Sequence, residues 1–134
     1  MLVPFALPGE LVQVEPVDAR HHVKRARITN VLEPSPERIA PDCPYFQHCG
    51  GCSYQHASYA FEVSQKVEVL REVMERVGKF EAPSTIPAIT GPDWGYRNRI
   101  QVHFEDDRMG FHEVNSHAIA DVARCPISDR KSVV

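Results

Sequence analysis

"CPYFQHCGGC", residues Cys43 to Cys52, places three of the chain's four cysteines within ten residues. Five residues separate Cys43 from Cys49, two separate Cys49 from Cys52, and seventy-two separate Cys52 from Cys125, which Pro126 follows. Three local sulfurs and one distant sulfur suit a four-thiolate metal centre. The pair Gly50 and Gly51 lets the backbone wrap tightly and turn its N–H groups toward sulfur. Zinc usually takes two close pairs of ligands, so a trio with a lone fourth ligand favours an iron–sulfur cluster over zinc. His48 and His56 remain as further candidates for a zinc ion. Disulfides rank third, because "MLVPFALPGE" at the start has no basic leader and the expected compartment is the reducing cytoplasm.

Working outward, the chain has 134 residues, of which 43% are hydrophobic and 25% charged, and a net charge of -3. That is ordinary globular composition, long enough for one medium domain or two small ones. The mild acidity excludes nucleic-acid binding by overall charge and leaves it to local patches. No run approaches a membrane span, so no membrane partner is expected.

Residues 1–33 read as β structure, with "LVQVEPV" and "VKRARITNVL" as short β-branched runs after a turn at Pro8 and Gly9. Two or three strands cannot close a barrel, so this segment reads as the tail of a small β domain. "EPSPERIAPDCP", with four prolines, reads as a junction. From about Ser58 to Val77, apolar residues recur at Tyr59, Val63, Val67, Leu70, Met74 and Val77, which predicts a long helix ending at Gly78. Its apolar stripe reads as core packing. Glu62 with Lys66, and Glu72 with Arg76, add charge pairs at helical spacing. "YRNRIQVHF" (96–104) alternates like a strand, and "MGFHEV" and "HAIADVARCPI" add two more. The seven glycines include no G-x-G-x-x-G arrangement.

"LPGE", "SPERIAPDCPYFQHCGGCSYQH", "YRNRIQVHF", "MGFH" and "HAIADVARCPI", in this order, resemble the RNA uracil-5-methyltransferases. The likeness is to the iron–sulfur, TRAM-domain branch that makes 5-methyluridine in 23S ribosomal RNA, and it covers roughly residues 3–128. It implies an α+β chain: the C-terminal part of a TRAM (OB-like) β-barrel at 1–33, then a cluster-binding central domain at 34–128 built from a small antiparallel sheet and one long helix. It also implies that Cys43, Cys49, Cys52 and Cys125 bind a 4Fe-4S cluster. The methyl donor of such an enzyme is S-adenosylmethionine, and the reaction uses a free cysteine thiolate against carbon 6 of uracil. With all four cysteines given to metal and no cofactor-binding motif, the catalytic Rossmann-like domain is expected to be absent and this chain inactive by itself. Asp129 to Val134 depart from the family pattern and match a common library adapter read in frame, so they are expected to be a non-native tail. The implied partner is RNA, 23S rRNA ahead of tRNA, for a cytoplasmic, monomeric parent enzyme. A stand-alone metal-binding and RNA-binding module is the alternative.

Lys24, Arg25 and Arg27, with His21 and His22, form the densest positive cluster, while Arg97 and Arg99 share one face of the expected strand. Both sets are candidates for RNA phosphate contact, against the simpler reading of solvated strand faces. Tyr45, Phe46 and Tyr54 read as packing around the metal rather than base-stacking groups. His103, His112 and His117 carry no assigned role, because no carboxylate partner stands at a telling interval.

Overall fold

The computed structural model describes residues 1–20 and 23–129. His21, His22 and 130–134 lie outside the described residues, so the two histidines of the basic cluster and most of the expected tail are not placed. Asp129, at the head of that tail, is placed: its N–H donates to the Arg97 carbonyl at 2.8 Å.

Strands β1 (Leu11–Arg20) and β2 (Val23–Glu33) form one two-stranded antiparallel sheet. The register runs from Leu11 opposite Glu33 to Arg20 opposite Val23, with irregularities at Leu11/Val12, Gln13/Val14 and Pro16/Asp18. Pro16 has no N–H to give a ladder, and the last irregularity falls beside it. The β domain expected for residues 1–33 is therefore a long hairpin, and no barrel closes among the described residues. A second sheet orders β3 (His103–Glu105), β4 (Arg108–His112) and β5 (Ile119–Asp121), all antiparallel.

Between the two sheets in chain order comes α1 (Tyr59–Glu72), continued by a π-helical turn over Val73–Val77. Ser58 caps it, its hydroxyl accepting the Phe61 N–H at 3.3 Å. The expected charge pairs form, Lys66 to Glu62 at 2.6 Å and Arg76 to Glu72 at 3.2 Å. Gly78 ends the helix as anticipated but at φ -70°, while Lys79 takes the left-handed turn at φ 58°. Gly78 is needed for space instead, since a Cβ there would stand 2.6 Å from the Met74 carbonyl oxygen. The apolar stripe is not core: α1 buries no residue, and Leu70, Val73 and Val77 are 43%, 46% and 67% exposed. The buried apolar residues are few and mostly small: Leu7, Ala26, Ala57, Ala82, Ile119, Ala120, Val122 and Ile127.

The strand expected over 96–104 also needs correction. Only His103–Glu105 pairs as a strand, and the preceding stretch is held by an isolated parallel bridge from Arg97 to Ser128. Arg97 and Arg99 thus do not share a strand face. The "MGFH" motif gains a physical reason in the same sheet. A Cβ on Gly110 would lie 1.8 Å from the Ala120 carbonyl oxygen, on the backbone of β5. Gly110→Ala is expected to force β4 from β5 at a cost of about 2–3 kcal/mol, read as a lower urea midpoint. An unchanged midpoint would mean that the sheet has room for the methyl group.

Candidate functional site

The junction between hairpin and cysteines is a scaffold, not a loose linker. The Glu10 side chain is fully shielded from solvent and accepts four donors. Its Oε2 takes the Leu7 N–H at 2.9 Å and Arg38 Nη2 at 2.6 Å, while Oε1 takes the Ser35 N–H at 3.2 Å and Arg38 Nε. Arg38 Nη2 also donates to the Phe5 carbonyl at 2.8 Å. The Arg38 guanidinium, aided by the two backbone donors and against the opposing effect of burial, holds the Glu10 carboxyl down at about 2. "LPGE" and "SPER" are thus two halves of one buried ion pair. It ties the hairpin to the segment that leads into Cys43. The same segment is held to the head of the helix, with Ile39 N–H donating to the His56 carbonyl and Ser58 N–H to the Glu37 carbonyl, both at 3.0 Å.

All four cysteines are free and half-buried, and they line one recess with Tyr45, Phe46 and Arg97. The recess has about 470 Å³ not filled by protein atoms, its mouth included. Turns bring the trio around: Phe46 N–H donates to the Cys43 carbonyl at 3.1 Å, and Cys49 N–H to the Tyr45 carbonyl at 2.7 Å. The Gly51 N–H reaches Cys49 Sγ at 3.4 Å, as a wrapped backbone should. Gly50 serves differently. Its N–H donates to the His112 carbonyl at 2.9 Å, docking the loop on β4 at an approach that a Cβ would crowd at 3.0 Å. The fourth cysteine arrives after β5, where Ala123 N–H donates to the Tyr45 hydroxyl at 3.3 Å and Ser128 N–H to the Cys125 carbonyl at 3.2 Å.

Burial raises the Cys49 and Cys52 thiols above the usual range, and negative charge on the other cysteines raises them further. Four thiolates crowded together need a cationic centre to neutralise them. Among the described residues, no three His, Cys, Asp or Glu side chains are grouped so as to hold a metal ion. His48 and His56, the further zinc candidates, do not line the recess. His48 stands 3.6 Å from Glu113.

His56 is packed instead into an aromatic cluster, stacked on Phe46 at 5.3 Å and edge-on to Phe5 at 5.9 Å. It is 2% exposed, and neither ring nitrogen has a partner of good hydrogen-bond geometry. Burial and then the Arg38 charge push its pKa below 6.5. The unfolded chain therefore takes up a proton at pH values where the folded chain does not, so stability falls as pH drops below 6.5. His56→Phe keeps the stacking and removes two unpaired nitrogens. It is expected to match or exceed wild-type stability at pH 7, by about 1 kcal/mol, and to flatten the loss that sets in below pH 6.5 in urea titrations. An identical pH dependence in wild type and variant would show that His56 is not the group responsible.

The five candidate RNA-contacting cations are dispersed. Arg25 and Arg27 line a groove beside the hairpin, of about 1440 Å³ with its mouth included, which Thr29, Asn30, Gln47 and Asn115 also border. Their present partners are Asp18 at 3.9 Å and Glu15 at 2.7 Å, and the Arg27 pair is well exposed and cheap to exchange for phosphate. Arg97 lines the cysteine recess. Lys24 and Arg99 are exposed and line neither. Tyr45 and Phe46 pack in the cysteine recess as expected, whereas Tyr54 borders a separate cleft beside α1. The three histidines left without a role come together: the His103 and His112 rings lie 3.9 Å apart, those of His112 and His117 5.5 Å apart. The hairpin register carries the signal for this, since His103 opposes Gly110, two residues from His112.

Comparison with known proteins gives a consistent set of relatives. The chain is 38% identical over 126 residues to the 23S rRNA (uracil(1939)-C(5))-methyltransferase of Xanthomonas oryzae pv. oryzae, covering 90% of this chain and 28% of that protein. The enzyme of the same name from Xylella fastidiosa is 39% identical over 129 residues, 92% of this chain and 29% of its own length. Among solved structures, the tRNA (uracil-54, C5)-methyltransferase of Pyrococcus abyssi, in complex with S-adenosyl-L-homocysteine, superposes with a TM-score of 0.67 at 29% identity. It covers 97% of this chain and 29% of that one. The chain thus spans less than a third of the length of these relatives. No family model matches it.

Proposed function

We propose, for a chain homologous over nine-tenths of its length to the N-terminal region of the RNA uracil-5-methyltransferases, that it is the RNA-holding and cluster-holding part of such an enzyme. The observation that carries this is the convergence of Cys43, Cys49, Cys52 and Cys125 on one recess, braced against the hairpin that bears the basic groove. Those four cysteines would hold a 4Fe-4S cluster, which supplies a rigid cross-link rather than electrons, since methyl transfer to uracil is not a redox reaction. The parent enzyme uses S-adenosylmethionine to make 5-methyluridine. Its substrate is 23S rRNA rather than tRNA, in keeping with higher identity to the ribosomal enzymes, 38% against 29%. It works as a soluble cytoplasmic monomer; among the described residues no helix is long and apolar enough to cross a membrane.

The work of this chain's own residues is to bind and orient. Arg27 exchanges its exposed partner Glu15 for an RNA phosphate with Arg25 beside it in the groove, and the Glu10–Arg38 pair fixes the hairpin's direction relative to the cysteine recess. The attack on carbon 6 of uracil needs a free thiolate, and the four thiols here are committed to the recess. The chain alone is therefore expected to incorporate no methyl group from labelled S-adenosylmethionine.

RNA binding gives the sharper test. Affinity for a 23S rRNA fragment should fall steeply with salt, and replacing Arg25 and Arg27 with Ala should weaken binding and reduce the log–log salt slope by about 2. Equal slopes in wild type and variant would remove the groove from the RNA path, and absence of binding would remove the RNA-holding role.

A further inference from the structure

We infer that the recess between the cysteine loop and β4 is a nucleobase-binding subsite, the companion of the arginine groove in a single-stranded RNA path. This rests on the RNA-holding reading above and goes further, naming where a base is received. The recess has about 780 Å³ with its mouth included and is bordered by Phe5, His103, Phe111, His112, Ser53 and Asn115.

Four features point to a base and away from a phosphate or a metal ion. The walls are flat and aromatic: the His103 and His112 rings lie 3.9 Å apart, tilted by 36°, and Phe5 and Phe111 add apolar surface. His112 Nδ1 lies 2.9 Å from the His117 carbonyl, so that nitrogen is engaged within its own loop rather than offered to an ion. The lining carries no lysine or arginine, and its one charge, Glu113, stands 3.6 Å from His48. The Asn115 amide and the Ser53 hydroxyl border the recess, and neither engages a hydrogen-bond partner among the described residues. An amide with both donor and acceptor free is suited to the edge of an unstacked base.

Continuity with the groove supplies the RNA. Phe5, Val114 and Asn115 border both concavities, so a strand whose phosphates follow Arg25 and Arg27 passes directly over the recess. A positive track beside an aromatic platform is the arrangement by which single strands are held. The shared wall is itself unusual. Phe5 sits at φ 66°, a region costly for an aromatic residue, and is fixed there by the Arg38 bond to its carbonyl and by edge-on packing with Phe46 at 5.3 Å. That strain persists at a residue that lines both cavities. Gly110 contributes by lacking a side chain directly opposite His103.

The test uses the whole chain and two RNA octamers, one of uridines and one with the same ribose-phosphate backbone but no bases. Wild type should bind the uridine octamer at least tenfold more tightly. Asn115→Gly, which suits the residue's φ of 60°, and His103→Ala should each lose most of that preference without weakening the abasic octamer. His103→Phe should restore it by replacing the ring. Arg27→Ala should weaken both octamers. Variants that keep the wild-type preference would overturn the subsite and leave the RNA-holding role intact. Failure of wild type to bind either octamer would overturn both.

Discussion

Glu10→Ala is expected to lower the unfolding free energy by about 3–5 kcal/mol, the cost of leaving one partner of a buried ion pair uncompensated. Arg38 would keep its charge in a site only 19% open to solvent, and the N–H groups of Leu7 and Ser35 would lose their acceptor. Acid should expose the same interaction. Glu10 is held at about 2 against an ordinary 4.5, so its contribution is complete above pH 4.5 and disappears as pH falls through 2. Integrated over that window it amounts to about 3 kcal/mol. This loss begins below pH 4.5, whereas the one assigned to His56 begins at 6.5, so the two have different onsets on the pH axis. Replacing Glu10 and Arg38 together with Met should recover most of the single-variant loss, because an apolar pair leaves no charge buried. A urea-derived change below 1 kcal/mol for Glu10→Ala would show that solvent reaches the pair.

Cys125→Ser should have an effect of similar size, but only in the metal-loaded protein. Seventy-two residues separate Cys125 from Cys52, so its bond to a metal centre closes the longest loop among the four. A cross-link around a loop of that length is worth about 4 kcal/mol. Iron content should fall to a small fraction of wild type at the same time. In the metal-free protein the change replaces a half-buried thiol by a hydroxyl and should cost less than about 1 kcal/mol. Equal effects in both forms would make Cys125 a packing residue and detach it from the cysteine trio.

How much of this was legible before the fold depends on the range of each interaction. The helix over 59–77 was readable because its periodicity, cap and charge pairs are local. Its packing was not. Alternation of apolar residues shows which face can be covered, not what covers it, and Leu70 and Val77 stand exposed. "YRNRIQVHF" misled for a related reason. Alternation licenses a strand only where a neighbour offers a ladder, and Arg97 finds just one bridge, to Ser128, while Tyr96 is 54% exposed. The cysteine spacing was legible because it is a pattern of residue types, and the four cysteines it singled out do line one recess. The Glu10–Arg38 pair was not, since nothing in "LPGE" declares a partner twenty-eight residues away. His103 and His112 were visible as residues, but their contact depends on the β3–β4 register, which misplaced strand ends conceal.

The central claim is that the recess formed by Cys43, Cys49, Cys52 and Cys125 is a cluster seat. Anaerobic purification of the chain, followed by iron, sulfide and zinc analysis, tests it most directly. The prediction is about four irons and four acid-labile sulfides per chain, with broad visible absorption that Cys125→Ser abolishes. One zinc per chain with no sulfide would contradict it and make the four cysteines a structural zinc site.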